Sequence, residues 1–368
     1  MAEDDVPGEG FTADTGATLV RAGEPVREVL HLREGRVGLF RDGRLIDIID
    51  APMRAGAAAL LGEGRHRVDV VALGPVAGLR VPAASWLAAL DRSPALALAE
   101  ARRQAAARAA LEDGFAASLG DLDDFFAPGG RLVPGPYTFG PVALTAFVMA
   151  GERAALRALL PPGLRLIPGL GGASLLVLAE VGGSRTDGPG GPTRAGAYRE
   201  LAVFIPCVGP RGRLGVFVPA LVVTATMAIL LGREIYGFPK RPGRIWLHSD
   251  GAEVALDHRL ALRLGWGEGT PLAAGAAPRA LRALLRPRVF TRKVIAGVAG
   301  RDRVDELVES RFSLLDLGRL TRLAEPRVEH LDPWLPPLGR PTAAFSLQAA
   351  YRLGRGRVLR RNPRRRRR

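Results

Sequence analysis

A chain of 368 residues is long for one domain and sufficient for two, and 47% of its residues are hydrophobic, enough to build sizeable cores. Its net charge of +15 is unevenly spread, because the stretch from Arg352 to Arg368 holds ten arginines and no acid, which leaves about +5 for the rest. A single cysteine, Cys207, excludes an intrachain disulfide and fits a reducing compartment.

Metal and targeting signals are absent from the sequence. The five histidines lack the spacing of metal ligands, and one cysteine cannot build a thiolate site, so we predict no metal centre and no cofactor. The first residues, MAEDDVPGEG, are acidic and lack the apolar centre of a signal peptide. We therefore expect a cytoplasmic protein.

The first part of the chain has the pattern of short strands followed by a helix. Residues 17–81 alternate between apolar and polar side chains, and Glu34-Gly35 and Asp42-Gly43 stand at turn positions that predict hairpins. Residues 85–115 are rich in Ala, with Leu at helical intervals, which predicts an amphipathic helix. This order predicts a β-roll with trailing helices.

This layout resembles the cyclic nucleotide-binding domain family. The stretches that carry the resemblance are AGEPVREVLHLREGRVGLF at 22–40 and RAGAAALLGEGRHRVDVVAL at 54–73. The resemblance implies a Gly-Glu pair that holds the ribose and a later arginine that holds the cyclic phosphate, but these positions are Gly56, Ala57 and His66 here. Arg65 or Arg67 reaches the phosphate only if the register slips by one. We predict a β-roll kept for packing or partner contact that does not bind a cyclic nucleotide; the alternative is a nucleotide sensor.

A change of composition divides the chain. Residues 116–134 combine acids, Gly and Pro and break the helical pattern, so we place a boundary near residue 125. The predicted parts are a β-roll with helices at 1–125, a second domain at 126–359 and a disordered Arg-rich tail at 360–368. Within the second domain, the polar Gly/Pro stretch at 184–197 predicts a mobile loop.

One apolar stretch of the second domain is long enough to be a membrane candidate. Residues 214–232 carry no charge and approach the length that spans a bilayer. Pro219 interrupts the stretch, and its first half is rich in Val and Phe. We favour a buried strand followed by a short buried turn or helix.

The tail RRNPRRRRR has two interpretations. Its arginines can bind the phosphates of nucleic acid or of an anionic membrane. No aromatic residue alternates with them to stack on bases. We favour a solvated, disordered terminus.

The stretch GREIYGFPKRPGR at 232–244 contains a lysine where the chain otherwise uses arginine. Of 52 Lys and Arg residues only Lys240 and Lys293 are lysines, so 50 are arginines. Arginine replaces lysine as a charge but not as a nucleophile, because the guanidinium stays protonated. A neutral lysine amine adds to a ketone or aldehyde, and the resulting iminium draws electrons from a neighbouring C–C or C–H bond.

The nucleophile must first lose its proton. An ordinary lysine has a pKa near ~10.4, and lowering it to about 7 requires roughly 4–5 kcal/mol of difference between the two protonation states. Apolar neighbours such as Tyr236 and Phe238 can desolvate the amine, and Arg241 can repel the ammonium. These features predict that Lys240 acts as a nucleophile.

GREIYGFPKR resembles the signature of the acetoacetate decarboxylase family, in which the lysine after Pro forms a Schiff base and is activated by a neighbouring cation. Further segments in the family's order are GPYTF at 135–139, ALRALLPPGL at 155–164, YRE at 198–200 and PRVFTRK at 287–293. The resemblance covers residues from about 130 to 350. It implies an antiparallel β-barrel around an apolar pocket, in a homo-oligomer. The fold class expected for the whole chain is therefore mainly β (α+β).

The resemblance also implies roles for single residues. Lys240 matches the Schiff-base lysine, and Arg241 stands where the family has a second lysine. Glu200 matches an active-site glutamate suited to proton transfer. Val142 stands where the family has a substrate-facing arginine, and a second carboxylate of the family's pocket is also replaced, near Leu175 or Leu176.

Around this catalytic set we predict two supporting groups. The first contacts the substrate, with Arg199 as the cation for a carboxylate, and comprises Phe238, Arg199 and Tyr236. The second holds the lysine's loop through ion pairing and comprises Arg233 and Glu234.

These residues predict a Schiff-base-forming lyase or decarboxylase-like enzyme that acts on a small keto acid through Lys240. Aldol condensation with dehydration, or hydration of an unsaturated keto acid, is open as the reaction. The alternative function is a non-catalytic ligand sensor whose decarboxylase-like site has drifted.

Overall fold

The structure of the protein, a computed structural model, describes residues 6–105, 126–127, 131–132, 135–170, 172–188, 191–272, 288–296, 302–333, 335–336 and 338–361. The chain divides into two compact units, Met1–Ala116 and Ala117–Arg368. The predicted boundary near residue 125 adjoins residues 106–125, which lie outside the described ranges.

The first unit is a roll of two four-stranded sheets. Its strands are β1 (Glu9–Ala13), β2 (Thr18–Val20), β3 (Glu28–Glu34), β4 (Arg36–Arg41), β5 (Arg44–Asp50), β6 (Met53–Ala55), β7 (Asp69–Ala72) and β8 (Val76–Pro82). One sheet has the order β1-β8-β3-β6 and the other β2-β7-β4-β5. The predicted β-roll is therefore confirmed.

The two predicted turns differ in what they connect. Asp42 and Gly43 join the paired strands β4 and β5 with φ values of 51° and 71°, as a tight hairpin requires. Gly35, with φ of 92°, joins β3 to β4, which belong to different sheets. The predicted hairpin at Gly35 is wrong, because this left-handed residue directs the chain from one sheet into the other.

Helices follow the roll, as predicted, but the helical stretch is interrupted. After β8 come α2 (Ala83–Arg92) and α3 (residues 94–105), whereas α1 (Ala57–Leu61) lies between β6 and β7. Ser93 separates α2 from α3 with extended backbone angles of −129° and 94°. Trp86 of α2 is buried, and the Arg54 guanidinium lies 4.9 Å from its ring centroid. Arg54 also pairs with Glu100 of α3 at 3.3 Å, which ties the helices to the roll.

The second unit consists mainly of strands. They are β9 (Phe126–Ala127), β10 (Arg131–Leu132), β11 (Tyr137–Ala150), β12 (Arg165–Leu166), β13 (Ala173–Val181), β14 (Ser184–Gly188), β15 (Gly191–Ala195), β16 (Tyr198–Val208), β17 (Leu214–Phe217), β18 (Leu221–Val223), β19 (Lys240–Pro242), β20 (Arg244–Leu247), β21 (Gly251–Leu256), β22 (Arg259–Gly265), β23 (Gly269–Leu272), β24 (Arg288–Ala296), β25 (Asp302–Leu323), β26 (Arg327–His330), β27 (Arg340–Leu353) and β28 (Arg357–Arg361). The helices among its described residues are α4 (Arg153–Leu159), α5 (Thr226–Leu231), a π-helical turn (Gly232–Tyr236) and a 3₁₀ turn (Pro210–Gly212).

The long strands of this unit close into a barrel. Pairing runs β11-β27-β25-β24-β17-β16, and β13 pairs with both β16 and β11, which completes the ring. Most pairs are antiparallel, as predicted, but β17–β24 and β18–β19 are parallel. A closed ring leaves no unpaired edge along these strands and encloses one face of each.

Strand alternation separates the barrel's interior from a second core. On β16, Ala202 joins the cluster inside the barrel, while Leu201 and Val203 join a cluster outside it. The outer cluster is covered by a four-stranded sheet of order β20-β21-β22-β26, through residues such as Val254 and Leu262. Successive residues of one strand therefore pack alternately into the core inside the barrel and the core outside it.

The apolar stretch at 214–232 forms β17, β18 and α5, which agrees with the buried strand and short helix favoured by its sequence. Within the described ranges, no helix is long and apolar enough to cross a membrane. The stretch at 184–197 differs from its prediction. It forms the paired strands β14 and β15, whereas a mobile loop was expected.

The last described strand overlaps the predicted tail. Arg360 and Arg361 belong to β28 and pair with Leu307 and Glu306 of β25. These two residues are therefore part of the second unit, because backbone pairing extends the sheet beyond Leu359. The rest of the predicted tail, residues 362–368, lies outside the described residues.

Candidate active site

Lys240 is the first residue of the short strand β19, which pairs with β18, and β18 in turn pairs with β16. Lys240 is the register partner of Leu221 on β18, and Leu221 is the partner of Ala202 on β16. Residues that share a register row face the same side of a sheet, so Lys240 faces the barrel interior together with Ala202. Glu200 lies two residues before Ala202 and therefore faces the same side.

This register brings Lys240 and Glu200 together. The Lys240 ammonium donates to Oε2 of Glu200 at 3.3 Å, although the two residues are 40 positions apart. The lysine side chain is 9% exposed and the glutamate side chain 23% exposed. The amine is thus held inside the protein beside a carboxylate that retains access to solvent.

Aromatic rings flank the amine. Lys240 Nζ lies 5.7 Å from the ring centroid of Tyr198 and 5.8 Å from that of Phe238. Tyr198 precedes Glu200 by two residues and faces the same side of β16. The predicted contact residue Phe238 is therefore beside the lysine, and Tyr198 is a further neighbour that the sequence analysis missed.

The glycines of GREIYGFPKR allow the lysine's segment to pack closely. A Cβ on Gly232 would stand 2.6 Å from both Cδ and Cε of Lys240, so only glycine leaves room for the lysine stem. Gly237 ends the π-helical turn with φ of 70°, and a Cβ there would stand 2.6 Å from Cα of Lys293. The motif therefore contains Lys240 and also provides the two glycines that let the neighbouring backbone pack closely.

Arg241 does not lie beside the amine. Because side chains alternate along β19, Arg241 faces away from the barrel interior. Its guanidinium donates to Oδ2 of Asp257 at 2.8 Å. The guanidinium of Arg241, which was predicted to repel the Lys240 ammonium, therefore points away from it and pairs with Asp257.

Arg199 likewise lies on the outer face of β16. Its guanidinium pairs with Glu180 at 3.4 Å and donates to the backbone oxygen of Ile245 at 3.1 Å. The prediction that Arg199 meets a substrate carboxylate is wrong, because Arg199 and Glu200 are adjacent on a strand and their side chains therefore face opposite sides of the sheet.

The other predicted residues have mixed outcomes. Tyr236 is buried, with its ring centroid 6.1 Å from that of Phe238, and its backbone oxygen accepts from Thr291. Arg233 and Glu234 are exposed, and neither forms a salt bridge with another described residue. The segment is supported by the backbone instead, because the amide of Gly237 donates to the oxygen of Arg233 at 3.2 Å.

Two cavities meet at Lys240. The inner cavity lies within the barrel and is lined in part by Glu200; its volume is about 870 Å³ when the adjoining open solvent space is included. The outer cleft, of about 670 Å³ on the same measure, lies beside α5 and contains Tyr236. Their shared walls are Phe139, Tyr198, Phe238, Lys240 and Leu353. The amine is therefore reached from two sides.

The tyrosines around these cavities stay protonated near neutral pH. Burial raises the pKa of Tyr137 and of Tyr351 to about 12. Burial, followed by the nearby Glu200 carboxylate, raises the pKa of Tyr198 well above its ordinary value. Proton transfer within the described walls therefore falls to Lys240 and Glu200, which are the charged side chains present.

In the first unit, Gly56 and His66, two of the residues aligned with a nucleotide site, lie close together. Gly56 has φ of 94°, and a Cβ there would stand 3.1 Å from Cε1 of His66. Arg65 donates to the backbone oxygen of Gly23 at 2.8 Å, and Arg67 pairs with Glu63. Both arginines that flank His66 thus have partners within the roll.

Each of the two units matches the model of a known protein family. Residues 126–362, more than half of the chain, match the model described as acetoacetate decarboxylase. The chain belongs to the acetoacetate decarboxylase family. Residues 12–93 match the model of the cyclic nucleotide-binding domain, so a domain of that type precedes the acetoacetate decarboxylase domain.

Solved structures support the fold of the second unit. An acetoacetate decarboxylase from Legionella pneumophila is 20% identical, with a TM-score of 0.53 over 65% of this chain and 94% of that one. An acetoacetate decarboxylase-like enzyme from Sphingomonas wittichii RW1 is 22% identical, with a TM-score of 0.52 over 65% of this chain and 98% of that one.

A third similar structure belongs to a biosynthetic enzyme. The enduracididine biosynthesis enzyme MppR, solved with the condensation product of pyruvate and imidazole 4-carboxaldehyde, is 18% identical, with a TM-score of 0.50 over 63% of this chain and 92% of that one. No curated protein sequence matches the chain. At these identities the similarity establishes the fold alone.

Proposed function

We propose that the acetoacetate decarboxylase domain forms a Schiff base between Lys240 and a carbonyl substrate, and that it acts as a lyase of the decarboxylase or aldolase–dehydratase type. The observation that carries this proposal is the position of Lys240, whose amine lies in the wall shared by two cavities, 3.3 Å from Glu200. A buried amine beside a proton acceptor is what iminium chemistry requires.

The first step is carbinolamine formation and loss of water. Glu200 takes one proton from the Lys240 ammonium, and the free electron pair adds to the carbonyl carbon. The carbonyl oxygen then leaves as water, with one proton transferred from the attacking nitrogen and the other returned by Glu200, and a protonated C=N bond to Nζ remains.

The second step breaks a bond next to the iminium carbon. Electrons from that bond, whether C–H or C–C, move toward the positive nitrogen and give an enamine. Where the bond is C–H, Glu200 accepts the proton. Where the bond is C–C, the other fragment leaves as carbon dioxide from a carboxylate or as a carbonyl compound from a β-hydroxy group, whose proton Glu200 accepts. Addition of a proton or of a second carbonyl compound at the enamine carbon, followed by hydrolysis, releases the product and restores Lys240.

A small keto acid was the substrate predicted from the family resemblance, and Arg199 was the predicted cation for its carboxylate. Since Arg199 lies outside the cavity, the proposal is made for the carbonyl group and the iminium step, without a requirement for a carboxylate. The similarity to MppR, solved with a condensation product, supports carbon–carbon bond formation as one possible outcome of the enamine.

Reductive trapping tests the proposal. The protein is incubated with acetone, acetoacetate, pyruvate or longer ketones, reduced with borohydride and digested, and peptides are weighed by mass spectrometry. We expect an adduct on Lys240 that exceeds the adduct on Lys293, the only other lysine of the chain. The variant Lys240→Arg, which keeps the charge, should lose this adduct. If Lys240 stays unmodified by every carbonyl compound, the non-catalytic ligand sensor is the better description.

A further inference from the structure

The walls of the inner cavity are almost without charge. Of the described residues that line it, Glu200 and Lys240 are the charged ones, and they pair with each other. The remaining wall is formed by aliphatic and aromatic side chains, including Val142, Val177 and Phe312. An apolar lining with a few converging polar groups is the usual character of a ligand site.

No fixed cation is available for a substrate carboxylate in the part of this wall that the structure describes. Arg199 and Arg241 flank Glu200 and Lys240 in sequence, but both face the opposite side of their strands, where they pair with Glu180 and Asp257. Val142 is 4% exposed and lines the inner cavity. An apolar side chain thus faces the inner cavity at this position of β11.

The Lys240–Glu200 pair offers no net charge to an anion. Its net charge is zero whether the shared proton lies on the amine or on the carboxylate. A substrate carboxylate would lose its hydration in the apolar cavity without a compensating cation, which opposes binding. An uncharged carbonyl compound avoids this cost. After condensation, the iminium cation and the Glu200 anion form a neutral pair.

The apolar lining of the inner cavity continues beyond the reacting amine. It extends from Lys240 past Val142 and Leu144 of β11. An aliphatic or aromatic group attached to the carbonyl carbon would bury apolar surface along this wall, worth about 0.8 kcal/mol for each buried CH₂.

We propose that the substrate of this site is an uncharged, apolar ketone or aldehyde whose carbonyl reaches Lys240 and whose hydrocarbon part occupies the inner cavity. This proposal rests on the proposed function. The step it assigns is condensation of R₂C=O with the lysine to give an iminium and one water, followed by transfer of an α-proton to Glu200. Decarboxylation is not open to such a substrate, so the enamine reacts by protonation or by addition to a second carbonyl compound.

A matched pair of probes tests the substrate class. 2-Octanone and 2-oxooctanoate have the same chain length and a ketone at the same carbon, but only the second carries a carboxylate. Acetone and pyruvate form the corresponding small pair. Each probe is titrated against the full chain, trapped with borohydride, and the labelled fractions of Lys240 and Lys293 are measured. Because the labelling of Lys293 reports the intrinsic reactivity of each probe, the ratio Lys240/Lys293 isolates the contribution of the cavity.

We expect half-maximal labelling of Lys240 at a concentration of 2-octanone at least tenfold lower than that of either 2-oxooctanoate or acetone. Equal or better labelling by the keto acids would overturn the proposal while leaving the Schiff-base function intact. Labelling of Lys240 by none of the four probes would overturn the function. A second readout needs no covalent step: 2-octanone should displace the neutral dye Nile red from the protein more effectively than 2-oxooctanoate, and the reverse order would also overturn the proposal.

A charge introduced into the wall provides the converse test. Val142→Arg puts a guanidinium in the inner cavity and should improve labelling by 2-oxooctanoate relative to 2-octanone about tenfold. If Val142→Arg does not fold, Leu144→Arg serves the same purpose, because Leu144 lines the same cavity and is only partly buried. An unchanged preference in a folded variant would contradict the view that the missing cation sets the substrate class.

Discussion

The ammonium of Lys240 and the guanidinium of Arg241 lie on opposite faces of β19, although the two residues are adjacent in the chain. Lys240 donates to Glu200 at 3.3 Å inside the barrel, and Arg241 donates to Asp257 at 2.8 Å outside it. Extended backbone imposes this separation, since successive side chains of a strand point to opposite faces. The environment of the amine is therefore set by Glu200 and by apolar walls, more than by its neighbour in sequence.

The first prediction concerns Arg241. Arg241→Ala should leave the trapping of Lys240 by borohydride within about twofold of the wild type, because the guanidinium is directed away from the amine. Loss of the partly exposed pair with Asp257 should cost about 0–1 kcal/mol of stability. Thermal unfolding and adduct yield measure the two effects. A fall in adduct yield of more than tenfold in a folded variant would restore Arg241 as an activating charge.

The second prediction separates nucleophile from proton acceptor. Glu200→Gln keeps the size of the side chain but removes a group that accepts a proton. Exchange of the α-hydrogens of a bound ketone for deuterium, followed by NMR, should slow by about 10²–10⁴-fold, while reduced adducts on Lys240 still form.

Glu180→Gln is the matched control for this variant. Glu180 lies on the neighbouring strand β13 and pairs with Arg199 on the outer face. Its replacement should leave the exchange rate unchanged. Exchange at the wild-type rate in Glu200→Gln would remove Glu200 from the chemistry, and an equal loss in both variants would indicate a general effect of the charge change.

The sequence indicated the architecture and the central residue well. The two domain types, the β-roll and the barrel around an apolar pocket follow from strand patterning and from motifs whose order is local in sequence. Lys240 was identified because a chain rich in arginine keeps a lysine there, and Glu200 because of its match to the family. The sequence could not show that Glu200 lies beside the amine, because this contact depends on the register of β16, β18 and β19. That register is set by pairing between distant segments.

The errors have a common physical origin. Arg199 and Arg241 were assigned to the site because they adjoin site residues in sequence, but in a strand an immediate neighbour faces away. Tyr198 was missed although it lies two residues before Glu200, the spacing that places side chains on one face. Once the YRE segment is recognised as a strand, this period of two selects Tyr198 and Glu200 and rejects Arg199.

The third prediction tests the close packing at Gly232. Gly232→Ala suits the backbone, whose φ and ψ of −65° and −45° are helical, so the fold should be retained. The new methyl group would stand 2.6 Å from Cδ and Cε of Lys240, which forces the flexible stem to move and displaces the amine. Adduct yield on Lys240 should fall at least tenfold, with little change in the midpoint of thermal unfolding.

Gly354→Ala provides the comparison for Gly232→Ala in the same unit. There the nearest atom to a new Cβ is the backbone oxygen of Arg311 at 3.6 Å, an ordinary contact. This variant should label like the wild type. Undiminished labelling in Gly232→Ala would mean that the lysine stem has room to rearrange without loss of function.

The last prediction concerns the cyclic nucleotide-binding-type domain at residues 12–93. Burial lowers the pKa of His66, an effect larger than the opposing influence of Glu24 and Glu28, so the imidazole is neutral at pH 7 and offers no charge to a cyclic phosphate. Ala57 is 1% exposed and supplies no carboxylate for the ribose. Titration calorimetry with cyclic AMP and cyclic GMP should therefore detect no binding tighter than about 1 μM, a threshold of roughly −8 kcal/mol.

Acidification gives a second condition for this titration. Because the pKa of His66 is lowered in the folded state, the imidazole gains its proton only below the usual pKa of histidine. Any phosphate affinity that depends on the His66 imidazolium should therefore be absent near neutral pH and emerge on acidification below that usual value. Arg65→Ala removes one of the two arginines that flank His66. In the structure Arg65 donates to the backbone oxygen of Gly23 at 2.8 Å. Sub-micromolar binding at pH 7 that is lost in Arg65→Ala would show that this arginine exchanges its backbone partner for a phosphate and that the roll is a nucleotide sensor.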